Sequence, residues 1–99
     1  MTNVSVLPTV ACVVITKNEE KNIQDCLKSV QWVDELIVVD AESLDRTVDL
    51  ARASRAKVSV RPWPGFGLQK NFGMAQATSD WILILDADER VTEELRQEI

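Results

Sequence analysis

The sequence predicts an α/β protein built on a Rossmann-like open sheet of about four mostly parallel strands with flanking helices. Short apolar runs alternate along the chain with segments whose apolar residues recur at helical spacing. The runs are rich in valine and isoleucine, which favour strands, and they lack the polar positions of a strand with one solvated face. Alternation of strand and helix is typical of a parallel sheet whose connections cross over through helices.

Length and composition indicate one globular domain, predicted over residues 1–99 with a loose leader at residues 1–8. The 99 residues are 45% hydrophobic and 27% charged, and the apolar runs are too short to span a bilayer. The net charge of −5 argues against a nucleic-acid-binding protein. The chain has no histidine and two isolated cysteines, which argues against a structural zinc site and excludes Ser-His and Cys-His nucleophile pairs. Without a signal peptide, a cytoplasmic location is expected.

The first half of the chain is predicted to form two strand–helix units. Thr9–Thr16 form the first strand, Asn18 is placed to cap the helix that follows, and Glu35–Asp40 form the second strand. In the next polar turn, Ser43 or Asp45 is placed to cap the second helix. The apolar stripe of the first helix consists of Ile23, Cys26, Leu27 and Val30.

The second half of the chain is also predicted to alternate between helices and strands. The second helix is expected to end near Arg55, and a short third strand spans Lys57–Val60. Two prolines and two glycines predict a loop over residues 61–67, and a third helix follows over Leu68–Ala77. After the fourth strand, Thr92 is placed to cap a final helix. The residues of the third helix that are expected to face inward are Leu68, Phe72 and Ala75.

The fourth strand carries the main chemical signal. Trp81–Leu85 are apolar without a polar break, so this strand is expected to be buried on both faces. It ends in Asp86, and Asp88 follows; if the backbone stays extended, both side chains point to the same side. Two carboxylates at a strand end suit Mg²⁺ or Mn²⁺ that carries a phosphate-bearing substrate. Arg90 is close enough in sequence to pair with Asp88 or with the substrate.

Polar residues follow every predicted strand. In open α/β sheets, ligands bind beyond the carboxyl ends of the strands, so polar groups that converge there predict a ligand site. Acidic groups that meet at one edge repel one another unless a cation or hydrogen-bond donors join them. The polar residues concerned are Thr16, Asn18, Glu19, Asp40, Arg61, Asp86 and Asp88.

From about Pro8 to Ile99 the chain resembles the N-terminal, nucleotide-sugar-binding half of family 2 glycosyltransferases of the GT-A fold. Trp63–Asn71 together with Leu85–Val91 is most similar to bacterial transferases resembling the lipopolysaccharide-core β-1,4-glucosyltransferases. Each motif alone is weak, but their order is specific. The motifs are Ile15-Thr-Lys-Asn-Glu-Glu20, Leu27-Lys-Ser-Val30, Ile37-Val-Val-Asp40, Ser43-Leu-Asp-Arg-Thr47, Gln69-Lys-Asn71 and Leu85-Asp-Ala-Asp88.

The resemblance implies a role for individual residues. Asp40 is expected to accept a hydrogen bond from the nucleotide base, and Lys70 or Asn71 to lie near the nucleotide or the Asp pair. The nucleotide-binding residues implied are Thr16, Asn18, Glu19, Asp40, Lys70, Asn71 and Asp86. The metal ligands implied are Asp86 and Asp88, for Mg²⁺ or Mn²⁺. A bound cation stabilises the charge that builds on a departing nucleoside diphosphate, which agrees with these roles.

The resemblance also implies the partners and the reaction. The expected donor is a UDP-sugar, and the expected reaction is inverting transfer of a hexose to a glycan or glycolipid acceptor, in the cytoplasm or at the inner face of the membrane. The general base of the family is expected beyond Ile99, so the 99-residue chain is interpreted as a truncated domain that contains no catalytic residue and has no turnover of its own. Glu42 departs from the family pattern, because it replaces a residue that tolerates positive φ.

Structural alternatives stay open for several of these residues. Asp40 can cap the turn that follows it, Lys70 can be solvated, and Glu19 can serve only the start of the helix. Trp63 and Phe66 can pack their loop onto the sheet. For the whole chain, the alternative is a non-catalytic α/β scaffold or a weak nucleotide-binding module. A receiver domain or aspartyl phosphatase fits poorly, because an Asp pair on the fourth strand matches neither pattern.

Overall fold

The computed structural model describes residues 7–98, which form four strands and four helices in strict alternation. All strand pairs are parallel, and the strand order is β3-β2-β1-β4. The predicted α/β fold is therefore confirmed. Residues 1–6 of the predicted leader lie outside the described residues. The elements are β1 Val10–Thr16, α1 Ile23–Lys28, β2 Glu35–Asp40, α2 Thr47–Ala53, β3 Lys57–Val60, α3 Phe66–Gln76, β4 Trp81–Asp86 and α4 Glu93–Glu98.

The register brings the carboxyl ends of the strands together. Thr16, the last residue of β1, pairs with Asp40, the last residue of β2. On the other side of β1, Ile15 pairs with Asp86. Asp40 also pairs with Val60 at the end of β3. The polar groups that follow the strands therefore share one edge of the sheet, as the sequence predicted.

Two apolar clusters hold the helices against opposite faces of this sheet. One face of β1 and β2, with Cys12 and Val38, packs against α1 and α2. The opposite face includes Val13 and Val39, and α3 covers it. This arrangement explains the continuous apolar runs of β1 and β2, whose residues are buried on both faces of the sheet.

The inward face predicted for α3 is wrong. Leu68 is 60% exposed and Phe72 is 37% exposed, whereas Gln69 and Gly73 are buried; Ala75 is exposed as well. The helix approaches the sheet through Gly73, where an added Cβ would lie 2.5 Å from Cγ1 of Val13. A helix–sheet contact made through a glycine leaves no apolar signature, so the sequence periodicity indicated a different face.

The expectation that β4 is buried on both faces is also wrong. Trp81 is 63% exposed and Ile82 is 39% exposed, while Leu85 at the end of the strand is buried. Among residues 7–98, β4 pairs only with β1 and therefore lies at an edge of the described sheet. An apolar run predicts a strand but does not reveal its position in the sheet, since strand order depends on the whole chain.

Asn18 does not cap the first helix, contrary to the prediction. Its backbone lies in the left-handed region with φ of 52°, and its side-chain carbonyl accepts a hydrogen bond from the backbone N–H of Leu44 at 2.8 Å. The chain instead enters α1 through Glu19, whose carbonyl accepts a hydrogen bond from the N–H of Ile23 at 2.8 Å. Asn18 thus fastens the β1–α1 loop to the β2–α2 loop.

The residue predicted to cap α2 is wrong: Arg46 holds the N-cap position without a side-chain cap hydrogen bond, and Asp45 lies one residue earlier, where its carboxylate accepts a hydrogen bond from the backbone N–H of Thr47 at 3.0 Å. The predicted cap of α4 is confirmed. The hydroxyl of Thr92 accepts a hydrogen bond from the backbone N–H of Leu95 at 3.1 Å, at the start of this helix. In the part of the chain that the structure describes, no helix combines the length and apolar character needed to cross a bilayer.

Candidate functional site

A cleft of about 310 Å³ opens at the carboxyl edge of the sheet, and we call it the first cleft. The end of β1, the loop that follows β3 and the end of β4 all contribute to its walls. This is the position at which open parallel sheets bind their ligands. The residues that matter for its chemistry are Thr16, Glu19, Trp63, Phe66, Asp86 and Asp88.

Asp86 and Asp88 both line the first cleft, but not for the reason that the sequence suggested. The backbone turns after Asp86: the N–H of Glu89 donates to the carbonyl of Asp86 at 2.9 Å. The carboxylate of Glu89 in turn accepts a hydrogen bond from the N–H of Asp86 at 2.7 Å. The premise of an extended backbone is therefore wrong, and it is a tight turn that places both residues at one cleft.

The chemistry of this pair fits a divalent cation. Both side chains are exposed, and no hydrogen-bond donor from residues 7–98 contacts either carboxylate. The same residues contain no cluster of three His, Cys, Asp or Glu side chains that could enclose a metal. Mg²⁺ is commonly held by only one or two carboxylates, with water and substrate phosphates as the other ligands. Asp86 and Asp88 therefore suit a cation that arrives with a phosphate-bearing ligand.

Helix α1 supports the turn that carries these carboxylates. The thiol of Cys26 lies 3.6 Å from the carbonyl oxygen of Asp86. Burial raises the pKa of Cys26 to about 11, so the thiol is protonated at neutral pH and donates to that carbonyl. One turn later, the hydroxyl of Ser29 accepts a hydrogen bond from the N–H of Val91 at 3.0 Å. The two ends of the turn are thus anchored on α1 and on Ser29, the residue that caps its C-terminus.

Arg90 contacts the main chain of this turn. Its guanidinium donates hydrogen bonds to the backbone carbonyl oxygens of Ala87 at 3.1 Å and of Glu89 at 2.9 Å. Of the two partners that the sequence left open, Asp88 is therefore not the one that Arg90 contacts. The guanidinium instead fixes the shape of the turn and places a positive charge beside the acidic pair.

Asp40 is fully buried, and its carboxylate is engaged by groups of the protein itself. The hydroxyls of Thr16 and Ser43 each donate to Oδ1 at 2.6 Å, and the N–H of Ser43 donates to Oδ2 at 2.7 Å. Asp40 thus caps the turn after β2 and fixes the side chain of Thr16, which lines the first cleft. Oδ2 accepts one of these bonds and a carboxylate oxygen accepts two, so the predicted bond from a nucleotide base stays a prediction.

The other residues predicted to bind the nucleotide differ in whether they line the first cleft. Glu19 lines it, while its carboxylate also accepts a hydrogen bond from the side-chain amide of Asn22 at 3.2 Å. The ammonium of Lys70 lies 5.1 Å from the ring of Phe66, at the wall of the cleft. The residues predicted to bind nucleotide that do not line the first cleft are Asn18, Asp40, Lys70 and Asn71.

A larger cavity of about 500 Å³ lies next to the first cleft, and we call it the second cleft. It is lined by Lys17, Ala41, Glu42 and Trp63, of which Lys17 and Trp63 also line the first cleft. The ammonium of Lys17 donates to the carbonyl oxygens of Ala41 at 2.9 Å and Glu42 at 3.1 Å. Glu42 has φ of 56°, so this position does require positive φ, as the resemblance implied.

The sequence left open whether Trp63 and Phe66 pack their loop onto the sheet, and neither was included among the predicted site residues, although both line the first cleft. Trp63 is 52% exposed and Phe66 is 47% exposed, so neither is buried against the sheet. Their rings make an edge-to-face contact with centroids 6.1 Å apart. The available signal was their position in a loop that directly follows a strand, where parallel sheets place ligand-binding residues.

An open parallel sheet with an acidic cleft at its carboxyl edge defines the class of Rossmann-like ligand-binding domains. Within that class, this chain belongs to the glycosyl transferase family 2, because the model of that family matches residues 11–99. The predicted family is therefore confirmed.

Curated relatives agree with this assignment. An uncharacterized glycosyltransferase of Rickettsia typhi is 48% identical over 87 residues, which cover 87% of this chain and 30% of the relative. The SPbeta prophage-derived glycosyltransferase SunS of Bacillus subtilis is 36% identical over 96 residues, or 93% of this chain and 23% of the relative. This chain thus spans less than a third of the length of either relative.

Solved structures share the fold. TarS of S. aureus, in complex with UDP-GlcNAc, superposes with a TM-score of 0.80 at 28% identity, over 91% of this chain and 29% of TarS 1–349. Glucosyl-3-phosphoglycerate synthase of Mycobacterium tuberculosis, in complex with Mn²⁺, UDP and glucosyl-3-phosphoglycerate, superposes with a TM-score of 0.73 at 29% identity. That match covers 84% of this chain and 36% of the synthase.

Proposed function

We propose that this chain binds the nucleotide-sugar donor of a glycosyltransferase, a UDP-sugar, together with Mg²⁺ or Mn²⁺. The observation that carries the proposal is the convergence of Asp86 and Asp88, free of protein donors among the described residues, with Thr16 in one cleft at the carboxyl edge. The complexes of TarS with UDP-GlcNAc and of the mycobacterial synthase with Mn²⁺ and UDP support this class of ligand.

Different residues of the first cleft would bind different parts of the ligand. Asp86 and Asp88 would hold the cation, which when bound offsets the negative charge that builds on a departing nucleoside diphosphate. Thr16, fixed by Asp40, would present its hydroxyl oxygen and its backbone to the nucleoside. The ammonium of Lys70 would contact the phosphates at the wall of the cleft, with Asn71 next to it on the same helix.

We further propose the finer features that the resemblance implied. Residues 1–99 act as one nucleotide-sugar-binding domain of an inverting enzyme that transfers a hexose to a glycan or lipopolysaccharide-type acceptor, in the cytoplasm or at the inner face of the membrane. A carboxylate outside these residues deprotonates the acceptor hydroxyl. The 99 residues alone therefore give no sugar transfer, and turnover measured with the purified chain would contradict this part of the proposal.

A two-dimensional NMR titration with UDP and Mg²⁺, followed by Mn²⁺, tests the proposed site. We expect UDP to shift the amides of Thr16 and Glu19, and Mn²⁺ to broaden signals around Asp86 and Asp88. The double variant D86N/D88N should lose the broadening, while Asp49→Asn, an exposed carboxylate on α2, should keep it.

Two results would overturn the proposal. Broadening that persists in D86N/D88N would place the cation elsewhere. A well-dispersed spectrum that responds to neither UDP nor metal would leave the alternative of a non-catalytic α/β scaffold.

A further inference from the structure

A stripe of polar residues on α1 and its two caps faces the turn that carries the acidic pair, and we call it the α1 stripe. It consists of Asn22, Cys26 and Ser29, whose spacing of i, i+4, i+7 places their side chains on one face of the helix. Asn22 holds the N-cap position and Ser29 the C-cap position, so the stripe extends along the whole helix. It includes the serine of the motif Leu27-Lys-Ser-Val30, which has no role in the proposed function.

Two residues of the stripe hold the beginning and the end of the turn. The thiol of Cys26 lies 3.6 Å from the carbonyl oxygen of Asp86, which also accepts a hydrogen bond from the N–H of Glu89 at 2.9 Å. A carbonyl oxygen has two lone pairs, so it accommodates both donors. At the other end, the hydroxyl of Ser29 accepts a hydrogen bond from the N–H of Val91 at 3.0 Å. The main chain is therefore tied to the α1 stripe on both sides of the turn.

The middle of the turn is held as well. The guanidinium of Arg90 lies 3.5 Å from the side-chain oxygen of Asn22, the third member of the stripe. Ala87 is 2% exposed and belongs to the same apolar cluster as Cys26. With Ala87 in the core, its two acidic neighbours stay exposed, and both line the first cleft.

We propose that the α1 stripe positions the metal-binding turn, and that Cys26 and Ser29 thereby set the affinity of the acidic pair for a divalent cation. The proposal rests on the proposed function, which assigns the cation to Asp86 and Asp88. Mg²⁺ demands near-ideal octahedral geometry, so a small displacement of the main chain changes how well two carboxylates bind it. Removing a group that orients metal ligands typically lowers metal affinity by about 10–100-fold. Cys26 and Ser29 are positioning residues, because neither lines the first cleft.

Two variants with matched controls test this role. C26A removes the thiol that contacts the turn. C12A removes a thiol that is equally buried in the same cluster but lies on β1, where Cys12 pairs with Leu83. S29A removes the hydroxyl that binds Val91, whereas S29T keeps a hydroxyl at this position. S54A is the control for S29A, because Ser54 caps the C-terminus of α2 and, like Ser29, donates to a carbonyl of its own helix.

The measurement is an Mn²⁺ titration at a fixed concentration of UDP, with the midpoint read from the broadening of amide signals around Asp88. We expect the midpoint to rise about tenfold in C26A and in S29A, and to stay within about threefold of the unmodified chain in S29T, C12A and S54A. Urea denaturation of the same variants measures their stability. C26A and C12A should lose similar amounts, because each removes one buried thiol, so a difference between their midpoints reports the contact with Asp86.

The outcomes separate this proposal from the proposed function. If C26A and S29A both keep the midpoint of the unmodified chain, the stripe does not position the turn, while the proposed function stands. If C12A raises the midpoint as much as C26A does, lost packing is the cause and the assignment of Cys26 is wrong. If C26A does not fold, S29A decides the proposal against S29T and S54A, since Ser29 is partly exposed. If Mn²⁺ broadens no signal of the unmodified chain, the proposed function fails and this assignment fails with it.

Discussion

Asp40 and Asp88 show two uses of a carboxylate at the same edge of the sheet. Asp40 is buried and accepts three hydrogen bonds from Thr16 and Ser43, whereas Asp88 is exposed and accepts none from the described residues. A carboxylate whose acceptor positions are filled by its own chain stabilises the fold. One that is exposed at a cleft and has no protein donor gains a partner only when a ligand binds.

This difference predicts the effect of removing each charge. Asp40→Asn replaces an acceptor oxygen by an amide donor that faces the Ser43 donors, so we expect the free energy of unfolding to fall by about 2 kcal/mol or more. Asp88→Asn, the matched substitution at an exposed site, should stay within about 0.5 kcal/mol. Urea denaturation of the ligand-free chain measures both. Equal losses for the two variants would contradict the structural role of Asp40.

At the scale of elements, the packing of α3 on the sheet depends on Gly73. The helix runs close enough to β1 and β2 that a Cβ at this position would lie 2.5 Å from Val13 and 3.1 Å from Val39. Both neighbours are β-branched and have little rotamer freedom to yield. Because the loop with Trp63 and Phe66 leads directly into α3, the position of this helix also sets the position of the aromatic wall of the site.

Gly73→Ala should therefore destabilise the protein although alanine is the better helix former. We expect a net loss of about 1–3 kcal/mol, because overpacking outweighs the gain of about 1 kcal/mol in helix propensity. Gly67→Ala in the same helix is the control, since among the described residues its added Cβ would meet nothing within 4 Å apart from its chain neighbours and the backbone of its own helix. It should leave stability unchanged or raise it by up to about 1 kcal/mol. Thermal unfolding of both variants checks the sign, and a stabilised Gly73→Ala variant would contradict the described contact.

At the scale of the whole molecule, Glu35 joins parts of the chain that are far apart in sequence. Its Oε1 at the start of β2 accepts hydrogen bonds from the N–H groups of Thr78 and Ser79 at 2.8 Å and from the Ser79 hydroxyl at 2.6 Å. The pKa of Glu35 is lower than its ordinary value of 4.5, mainly because the Ser79 hydroxyl donates a hydrogen bond to the carboxylate. The hydrogen bonds from the backbone N–H groups of Thr78 and Ser79 lower the pKa further. This link fixes the entry to β4, and hence the register that delivers Asp86 to the site.

The lowered pKa makes this link dependent on pH. A carboxyl whose pKa is lower in the folded state stabilises the fold above its unfolded pKa, and that contribution is lost as the pH falls through the folded pKa. We expect Ser79→Ala to lower the free energy of unfolding at pH 7, on the order of 1 kcal/mol, and the difference to shrink below pH 4.5. The control is Ser54→Ala, which removes a hydrogen bond to the backbone carbonyl of Leu50. Its change in the free energy of unfolding should not depend on pH. Denaturant midpoints from pH 3 to pH 7 measure this.

The amino-acid sequence by itself determined the succession of strands and helices along the chain, the residues at which the strands end, and the family. These follow from local properties: apolar runs predict buried strands, a polar residue ends each run, and the motifs Ile37–Asp40 and Leu85–Asp88 have a specific order. The convergence of Thr16, Glu19, Asp86 and Asp88 also followed from sequence, because parallel strands must end at a common edge.

Only the tertiary structure decided which residues are exposed and which are engaged. The exposure of Trp81 depends on β4 lying at the edge, and the inward face of α3 depends on how closely Gly73 approaches β1. Trp63 lies between the two clefts because its loop meets segments that are distant along the chain. In the same way, Asp40 accepts its hydrogen bond from Thr16, which lies 24 residues earlier. Such contacts depend on strand order and packing distance, which are properties of the whole chain and leave no local pattern in the sequence.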